Sequence, residues 1–205
     1  MYSPAYNRIE DRAERLEFMR ANGFALLVTA AAGKILGSHL PVLVLEKDER
    51  LSLEMHMARG NAQWKDFTHE EVMVVFSGPH AYVSPRWYEE RERVPTWNYA
   101  AVHAYGAASV VQDAKSKHAA QRRLVAAYDP QWLTEFDALR PEYVERMLGG
   151  IVNFEIAVTR IETRWKLSQN RGRREMELIA AELDKSADGA AHALAALTRK
   201  HLSPG

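Results

Sequence analysis

The sequence of 205 residues is 47% apolar and 26% charged, which is typical of a folded globular protein and not of a disordered one. Its 27 Lys and Arg balance its 27 Asp and Glu, which argues against a protein that coats nucleic acid through a general positive field. Cysteine is absent, which excludes disulfides and thiolate metal sites. The charged N-terminus and the lack of an apolar run of about 18 residues predict a cytoplasmic protein that does not cross a membrane.

The first half of the chain predicts one helix followed by strands. Asn7 and Glu10 have the spacing of a capping box, and apolar residues recur every three or four positions from Ile9 to Met19, as in an amphipathic helix. FALLVTA and ILGSHLPVLVLE predict a β-hairpin, and RLSLEMHM predicts a third strand. EVMVVFSG is nearly all apolar and predicts a strand buried on both faces. The prolines in GPHAYVSPRWYEERERVP predict irregular structure.

The second half contains two long strand patterns and three helical stretches. TWNYAAVHAYGAASVVQD predicts a strand with Gly106 at a bulge or bend, and IVNFEIAVTRIETRWKLS predicts the last strand. Residues 114 to about 128 predict a helix between them. Two helical patterns, separated by DKSADG, follow the last strand. Strands and helices do not alternate as in parallel βαβ units, so the order favours an antiparallel barrel or sheet with peripheral helices.

Motifs of established chemistry are absent from the sequence. His39, His56, His80 and His103 lack the spacing of metal ligands, so we predict no metal site. Ser38 and His39 are adjacent, so on a strand they point to opposite faces and do not form a nucleophile–base pair. No glycine-rich nucleotide loop occurs. Side chains would therefore have to hold any phosphate group, and no catalytic residue is assigned.

The segment HMARGNAQWK concentrates cations and amides at the end of the third strand. Arg59 presents a planar fork of donors and Lys65 a point charge, and both suit phosphate oxygens. Asn61 adds an amide donor between them. The composition alone is compatible with a solvated turn or with a cradle for an anion.

Two further segments concentrate aromatic and basic residues. In PTWNYAAVHAYG, alternation along a strand places Trp97, Tyr99, His103 and Tyr105 on one side and Asn98 on the other. That side is either a core or subunit-interface face, or a stacking platform for a flat ring. RWKLSQNRGRR, residues 164–174, is either a solvated linker or a segment that contacts phosphate or nucleic acid.

Several stretches in this order resemble the PaiB family, known as FMN-binding negative transcriptional regulators. The stretches are MYSP, SHLPVLV, HMARGNAQWK, VVFSGPHAYVSPRWY, VPTWNYAAVHAYG and IVNFEIAVTRIETRWKLSQNR, and the likeness covers about residues 1–180. The family is similar to the FMN-binding split barrels of pyridoxamine 5′-phosphate oxidases and flavin reductases. The chain departs from the family pattern at Gly60 and Ala62, where Ala and Pro are usual, and its tail beyond about Leu183 has no counterpart.

The resemblance implies a mainly β fold with peripheral helices, built on a six-stranded antiparallel split β-barrel. It implies a barrel domain over residues 1–170 with a helical insertion near 114–148, and a helical extension over 171–205. It also implies a homodimer with FMN at the subunit boundary. The residues expected to contact the cofactor are Ser38, His39, His56, Met57, Ala58, Arg59, Asn61, Trp64, Lys65, Trp97, Asn98, Tyr99, Gln169 and Asn170.

The resemblance leaves the activity open. One expectation is flavin-dependent redox activity, because FMN supplies hydride or electron chemistry once the protein positions it. A second is a regulator that binds DNA or a protein partner without catalysis, for which the basic NRGRR stretch is the supporting feature; no helix-turn-helix pattern is evident. A third is a haem-binding barrel with His39, His56 or His103 as an axial ligand.

Overall fold

The structure is a computed structural model that describes residues 1–67, 71–90 and 92–202. Its six strands are β1 Phe24–Ala31, β2 Lys34–Lys47, β3 Arg50–Ala58, β4 Glu71–Val83, β5 Thr96–Val110 and β6 Ile151–Lys166. The α-helices of the described residues are α1 Arg12–Ala21, α2 Ala114–Tyr128, α3 Leu133–Asp137, α4 Pro141–Gly149, α5 Arg173–Leu183 and α6 Gly189–Leu202. Short 3-10 helices lie at Ala5–Asn7, Ala62–Asp66, Pro85–Trp87, Pro130–Trp132 and Gln169–Arg171.

The strands form one closed antiparallel barrel in the order β1-β2-β3-β6-β5-β4. The registers of neighbouring strands fix its framework. β1 pairs with β2 so that Thr29 faces Leu36, and β1 pairs with β4 so that Leu27 faces Val74. β3 lies between β2 and β6, with His56 opposite Asn153. The mainly β, split-barrel fold expected from the sequence is confirmed.

Alternation along the strands explains which residues form the core. In β3, Leu51, Leu53, Met55 and Met57 are buried, whereas Ser52 and His56 on the opposite face are half-buried. Period-two alternation of this kind places every second side chain inside a barrel. Each fully buried aliphatic side chain of this kind contributes about 1.5–3 kcal/mol to folding relative to its exposed state.

The chain is divided between two compact units. The first consists of residues 1–18, 77–102 and 162–205, and the second of residues 19–76 and 103–161. In the first unit, Trp165 is fully buried with its ring centroid 4.5 Å from that of Phe18, and α5 packs on α6. In the second unit, Leu27, Leu53, Val74, Phe76, Phe154 and Ile156 are completely buried. The division of the chain into residues 1–170 and 171–205 stays a prediction.

Three local expectations from the sequence are wrong. The first helix begins at Arg12 and not after Asn7, because the Asp11 side chain accepts the Glu14 amide hydrogen (2.7 Å) whereas Asn7 is buried in a 3-10 turn. β4 continues through Pro79 to Val83, although the prolines predicted a break after Gly78. β4 also buries only alternate residues, as a barrel strand with one inward face does, and is not buried on both faces.

Candidate cofactor-binding residues

The turn that follows β3 is held firmly against the β1–β2 hairpin. The Gln63 side-chain amide donates to the Leu27 carbonyl (3.3 Å), the Thr29 hydroxyl (3.2 Å) and the Leu36 carbonyl (3.2 Å). Asn61 caps the 3-10 helix by accepting from the Gln63 amide (3.0 Å). The structure therefore gives this segment a fixed conformation, although it is rich in groups that favour water.

Ser38 and Asn61 are brought together by that turn. The Asn61 Nδ2 donates to Ser38 Oγ at 2.8 Å, and both residues are half-buried. Because the hydroxyl oxygen accepts this bond, the Ser38 proton remains available for an acceptor outside the protein. His39, the next residue on β2, is exposed and its ring stacks on Phe24, with 6.0 Å between centroids.

Arg59 and Lys65 are exposed cations without a carboxylate partner among the described residues. Arg59 donates from Nε to the Gly149 carbonyl (2.7 Å) and from Nη2 to the Ile151 carbonyl (3.2 Å). Its guanidinium is thus positioned by the start of β6 without a carboxylate beside it in the part of the chain that the structure describes. Lys65 lies 5.9 Å from the centre of the Trp64 ring, and the indole of Trp64 donates to the Arg59 carbonyl (3.3 Å).

The remaining predicted residues of this segment face in different directions. Met57 points into the barrel core and is 2% exposed, so its side chain is not accessible to a ligand. Ala58 is exposed at the end of β3. His56 lies on the outer face of β3 and, with Asn153 and Gln121 of α2, lines a cavity large enough for about one water molecule. Both side-chain polar atoms of Asn153 are buried and lack a hydrogen-bond partner among the described residues.

Burial lowers the pKa of His56, which makes stability depend on pH. Below the unfolded-state pKa of about 6.5, the unfolded chain binds this proton more readily than the folded chain. We therefore expect the free energy of unfolding to fall as the pH falls from 7.5 to 5.5, by at most about 1.4 kcal/mol per pH unit for this group. His56→Gln should reduce the pH dependence of the free energy of unfolding, measured by urea titration. His39→Gln, at an exposed position on β2, should not. Equal slopes in the two variants would contradict this account.

Alternation along β5 places its aromatic side chains on the outer face and the side-chain amide of Asn98 on the inner face. Trp97, Tyr99, His103 and Tyr105 occupy the less buried face, as the sequence predicted, and Trp97 is 54% exposed. Trp97 meets the edge of the Tyr82 ring, with 6.3 Å between centroids. Trp97 is therefore the exposed ring among these four, whereas the guanidinium of Arg160 lies over the Tyr105 ring, 3.6 Å from its centre.

Asn98 has no exposed surface and forms a closed pair with Ser168. Its Nδ2 donates to Ser168 Oγ (3.0 Å), and the Ser168 hydroxyl lies 3.2 Å from Asn98 Oδ1. Ser168 adopts a left-handed conformation, with φ of 68°, which turns the chain after β6. Within this unit, the Asn98 amide thus anchors the segment that carries Gln169 and Asn170.

Gln169 and Asn170 differ in their availability. The Gln169 amide closes its own turn, since Oε1 accepts from the Leu167 amide (2.8 Å) and Nε2 donates to the Trp165 carbonyl. Asn170 is exposed. Lys166, which was not predicted as a site residue, donates to the Trp97 carbonyl (2.8 Å) and to the Thr96 hydroxyl. Desolvation lowers the pKa of Lys166, with a further contribution from the charge of Arg164.

The basic stretch after β6 is largely neutralised by carboxylates. Arg173 pairs with Glu177 and Arg174 with Glu89, each at 2.9 Å. Two of its cations therefore already have partners, which weakens the expectation of a DNA contact based on this stretch. The DNA partner stays a prediction. Among the described residues, no three His, Asp or Glu side chains lie close enough to share a metal ion.

The donor set around the turn after β3 fits the phosphate of FMN. A phosphate monoester carries close to two negative charges at neutral pH and accepts hydrogen bonds from several donors. The Ser38 hydroxyl, the Arg59 guanidinium and the Lys65 ammonium provide donors and positive charge, and no carboxylate among the described residues neutralises either cation. The exposed indole of Trp97 provides a flat apolar surface of the kind that stacks on a ring.

Comparisons with known proteins agree with this chemistry. The family model described as "Putative FMN-binding domain" matches residues 1–160. The "Protease synthase and sporulation protein PAI 2" of Bacillus subtilis is 37% identical over 206 residues, covering 98% of each chain.

Solved structures show the same fold at low identity. The FAD- and haem-binding protein of Mycobacterium smegmatis superposes with a TM-score of 0.62 at 13% identity, over 78% of this chain and 73% of that chain. The flavocytochrome Anf3 of Azotobacter vinelandii gives a TM-score of 0.60 at 14% identity, over 78% and 69%. None of the helices in the described residues combines the length and apolarity needed to cross a membrane. With a family model matching most of its length and a close relative over nearly all of it, the chain belongs to the PaiB-like family of FMN-binding proteins, and FMN is its cofactor.

Proposed function

We propose that the protein is a homodimer that binds FMN through the turn after β3 and uses the flavin for redox chemistry. The observation that carries the proposal is the pair of cations Arg59 and Lys65, which have no carboxylate partner in the described part of the chain, in a turn that Gln63 fixes to the β1–β2 hairpin. A preformed anion site loses little conformational entropy when its ligand binds. Retaining two cations there, with no carboxylate partner in residues 1–67, 71–90 and 92–202, has a physical reason if a phosphate is the usual partner.

Each residue of the proposed site has a limited role. Ser38 donates its hydroxyl proton to a phosphate oxygen, Asn61 orients that hydroxyl, and Arg59 and Lys65 supply positive charge. FMN, when bound, supplies hydride or single-electron transfer, and the protein supplies position and exclusion of water. No side chain is assigned as a general acid or base, because no acid–base step is required of the protein by flavin transfer alone.

The aromatic face of β5 is the proposed contact for the flavin ring. Trp97 and Tyr99 present flat surfaces, and we propose that they reach the ring from the partner subunit. Asn98 acts indirectly in this proposal, because its amide is occupied by Ser168. Gln169 likewise holds its own turn, so of the three amides proposed near the ring, that of Asn170 is the exposed one.

An apolar outer face in the second unit supports the homodimer. Phe24 is 71% exposed and Ile35 is 75% exposed. The neighbouring outward positions of β1 and β4 are half-buried and apolar: Leu26, Val28, Met73 and Val75. The pairing of Leu26 with Val75 and of Val28 with Met73 makes this face continuous. A continuous exposed apolar face usually marks an interaction surface, and a two-fold dimer is the commonest way to cover one.

Sedimentation tests the dimer directly. We expect the FMN-loaded protein at micromolar concentration to sediment at about twice the mass of one chain. Ile35→Glu should shift it toward the monomer, because a carboxylate on the apolar face loses its hydration in the interface. Lys47→Glu, at the other end of β2, serves as the control and should remain dimeric. A wild-type monomer that retains FMN would contradict the proposed subunit-boundary site.

The redox proposal is tested separately with the bound flavin. We expect the purified protein to retain FMN on gel filtration, and NADH or NADPH to bleach the flavin absorbance under anaerobic conditions, with recovery when air is admitted. Retention of FMN without bleaching by either nucleotide would remove the oxidoreductase proposal and leave a binding protein. A haem absorption band in place of flavin would overturn the proposal as a whole.

A further inference from the structure

A groove in the second unit lies between the last turn of α2 and the middle of β2. Its volume is about 510 Å³, within the usual range for small-molecule sites. The lining residues are Arg20, Val42, Leu43, Val44, Leu45, Arg123, Ala126, Ala127 and Tyr128. The groove shares no residue with the proposed phosphate site.

Small residues on the helix side keep the groove open. Ala126 and Ala127 present only methyl groups from α2, so the helix does not fill the space above Leu43 and Leu45. At one end, Tyr128 lies against Gly23. A Cβ built at Gly23 would meet the Tyr128 hydroxyl at 2.6 Å, so this approach requires glycine there. The tyrosine therefore closes the end of the groove.

The helix that forms the roof is anchored by a buried carboxylate. Arg123 donates from Nε to Glu54 Oε1 (3.1 Å) and from Nη2 to Glu54 Oε2. The hydrogen bonds to Glu54 raise the pKa of Arg123, and the Glu54 side chain is only 10% exposed. Arg122 adds a second attachment of α2, to Asp137 at 2.8 Å. The groove is thus bounded by two elements in fixed positions.

The charges on the groove are positive. Arg123 is compensated by Glu54, but Arg20 is exposed and has no carboxylate partner among the described residues. No Asp or Glu is among the lining residues. An apolar floor beside the guanidinium of Arg20, for which the described part of the chain offers no carboxylate, suits a ligand with a hydrocarbon body and one anionic end.

We infer that this groove binds a small amphipathic carboxylate, with its alkyl chain over Leu43 and Leu45 and its carboxylate on Arg20. The available volume suits a chain on the order of eight carbons. Ala126 and Ala127 contact the chain, and the Tyr128 ring covers its end. The site is independent of FMN and adds a second ligand class to the protein.

Calorimetric titration of the FMN-saturated protein with octanoate tests the inference. We expect octanoate to bind at least about tenfold more tightly than octanol, since the alcohol lacks the charge that Arg20 recognises. Arg20→Gln should weaken octanoate about tenfold and leave octanol unchanged. Arg12→Gln, on the same helix but outside the groove, is the matched control and should change octanoate binding less than about twofold.

A variant that fills the groove distinguishes binding in the groove from nonspecific binding at the protein surface. Ala127→Phe places a ring over the floor at an exposed position, so the fold should persist while octanoate binding is lost. Equal affinities for octanoate and octanol, or equal effects of the two arginine variants, would overturn the inference. So would binding to phosphatidylglycerol vesicles through Arg20 without binding of octanoate, because that result would assign the groove to a membrane surface.

Discussion

Arg59→Ala is expected to weaken FMN binding about ten- to a hundredfold while changing riboflavin binding much less. Riboflavin has the same ring system but lacks the phosphate, so the ratio of the two affinities isolates the phosphate contact. Loss of one charge-assisted hydrogen bond costs about 1.5–3 kcal/mol, which corresponds to that range. Fluorescence titration of both ligands against each variant gives the ratio.

Two further variants make the result interpretable. Arg59 also donates to the carbonyls of Gly149 and Ile151, so its loss disturbs the turn as well as the charge. Lys65→Ala removes a cation that lies near the Trp64 ring. Like Arg59→Ala, it should weaken FMN binding more than it weakens riboflavin binding. Arg50→Ala, at the opposite end of β3, should preserve the wild-type ratio. Parallel weakening of both flavins by Arg59→Ala and Lys65→Ala would exclude them as phosphate ligands.

Gly106→Ala is expected to destabilise the protein by about 2–3 kcal/mol. A Cβ at this position would overlap the carbonyl oxygen of Ala157 and lie 2.8 Å from its carbonyl carbon, because β5 and β6 approach closely there. The obstructing atoms belong to the backbone, so no side chain can rotate away. The two strands would have to separate locally, with a loss of hydrogen bonding and packing. Urea unfolding monitored by circular dichroism measures the change.

Gly149→Ala provides the comparison for this experiment. Gly149 ends α4 and has no atom within 4 Å of a built Cβ, so alanine there should change stability by less than about 1 kcal/mol. A similar small effect at Gly106 would show that the strands accommodate a methyl group. Gly106 would then be explained by local backbone flexibility and not by the close approach of β5 and β6.

The sequence predicted most of the secondary structure because its periodic patterns are long. β5 and β6, with 15 and 16 residues, are the longest strands, and both were expected from their composition. The errors fall where local signals compete. Asn7 and Asp11 both resemble caps, and the structure uses Asp11. Pro79 lies within β4, although proline is a signal for the end of a strand.

The candidate site was less accessible to sequence reasoning because it depends on contacts distant along the chain. The composition of residues 56–65 was compatible with a solvated turn or an anion cradle, and it did not reveal that Gln63 anchors the segment to the β1–β2 hairpin. Likewise, alternation placed Asn98 opposite the aromatic face, but its pairing with Ser168 spans 70 residues. The cytoplasmic location remains an expectation.

The threefold attachment of Gln63 has a consequence for how the protein reaches its folded state. The Gln63 side-chain amide donates to three acceptors, on Leu27, Thr29 and Leu36. These acceptors align only when β1 and β2 have paired in the native register. A slip of one residue would turn the Thr29 hydroxyl to the opposite face of the sheet. The turn after β3, which carries the proposed phosphate site, therefore docks only after the hairpin has paired in this register. On the proposed function, FMN binds the docked turn and so favours correctly folded molecules over misregistered ones; flavin added during refolding is then expected to raise the yield of native protein without accelerating formation of the hairpin.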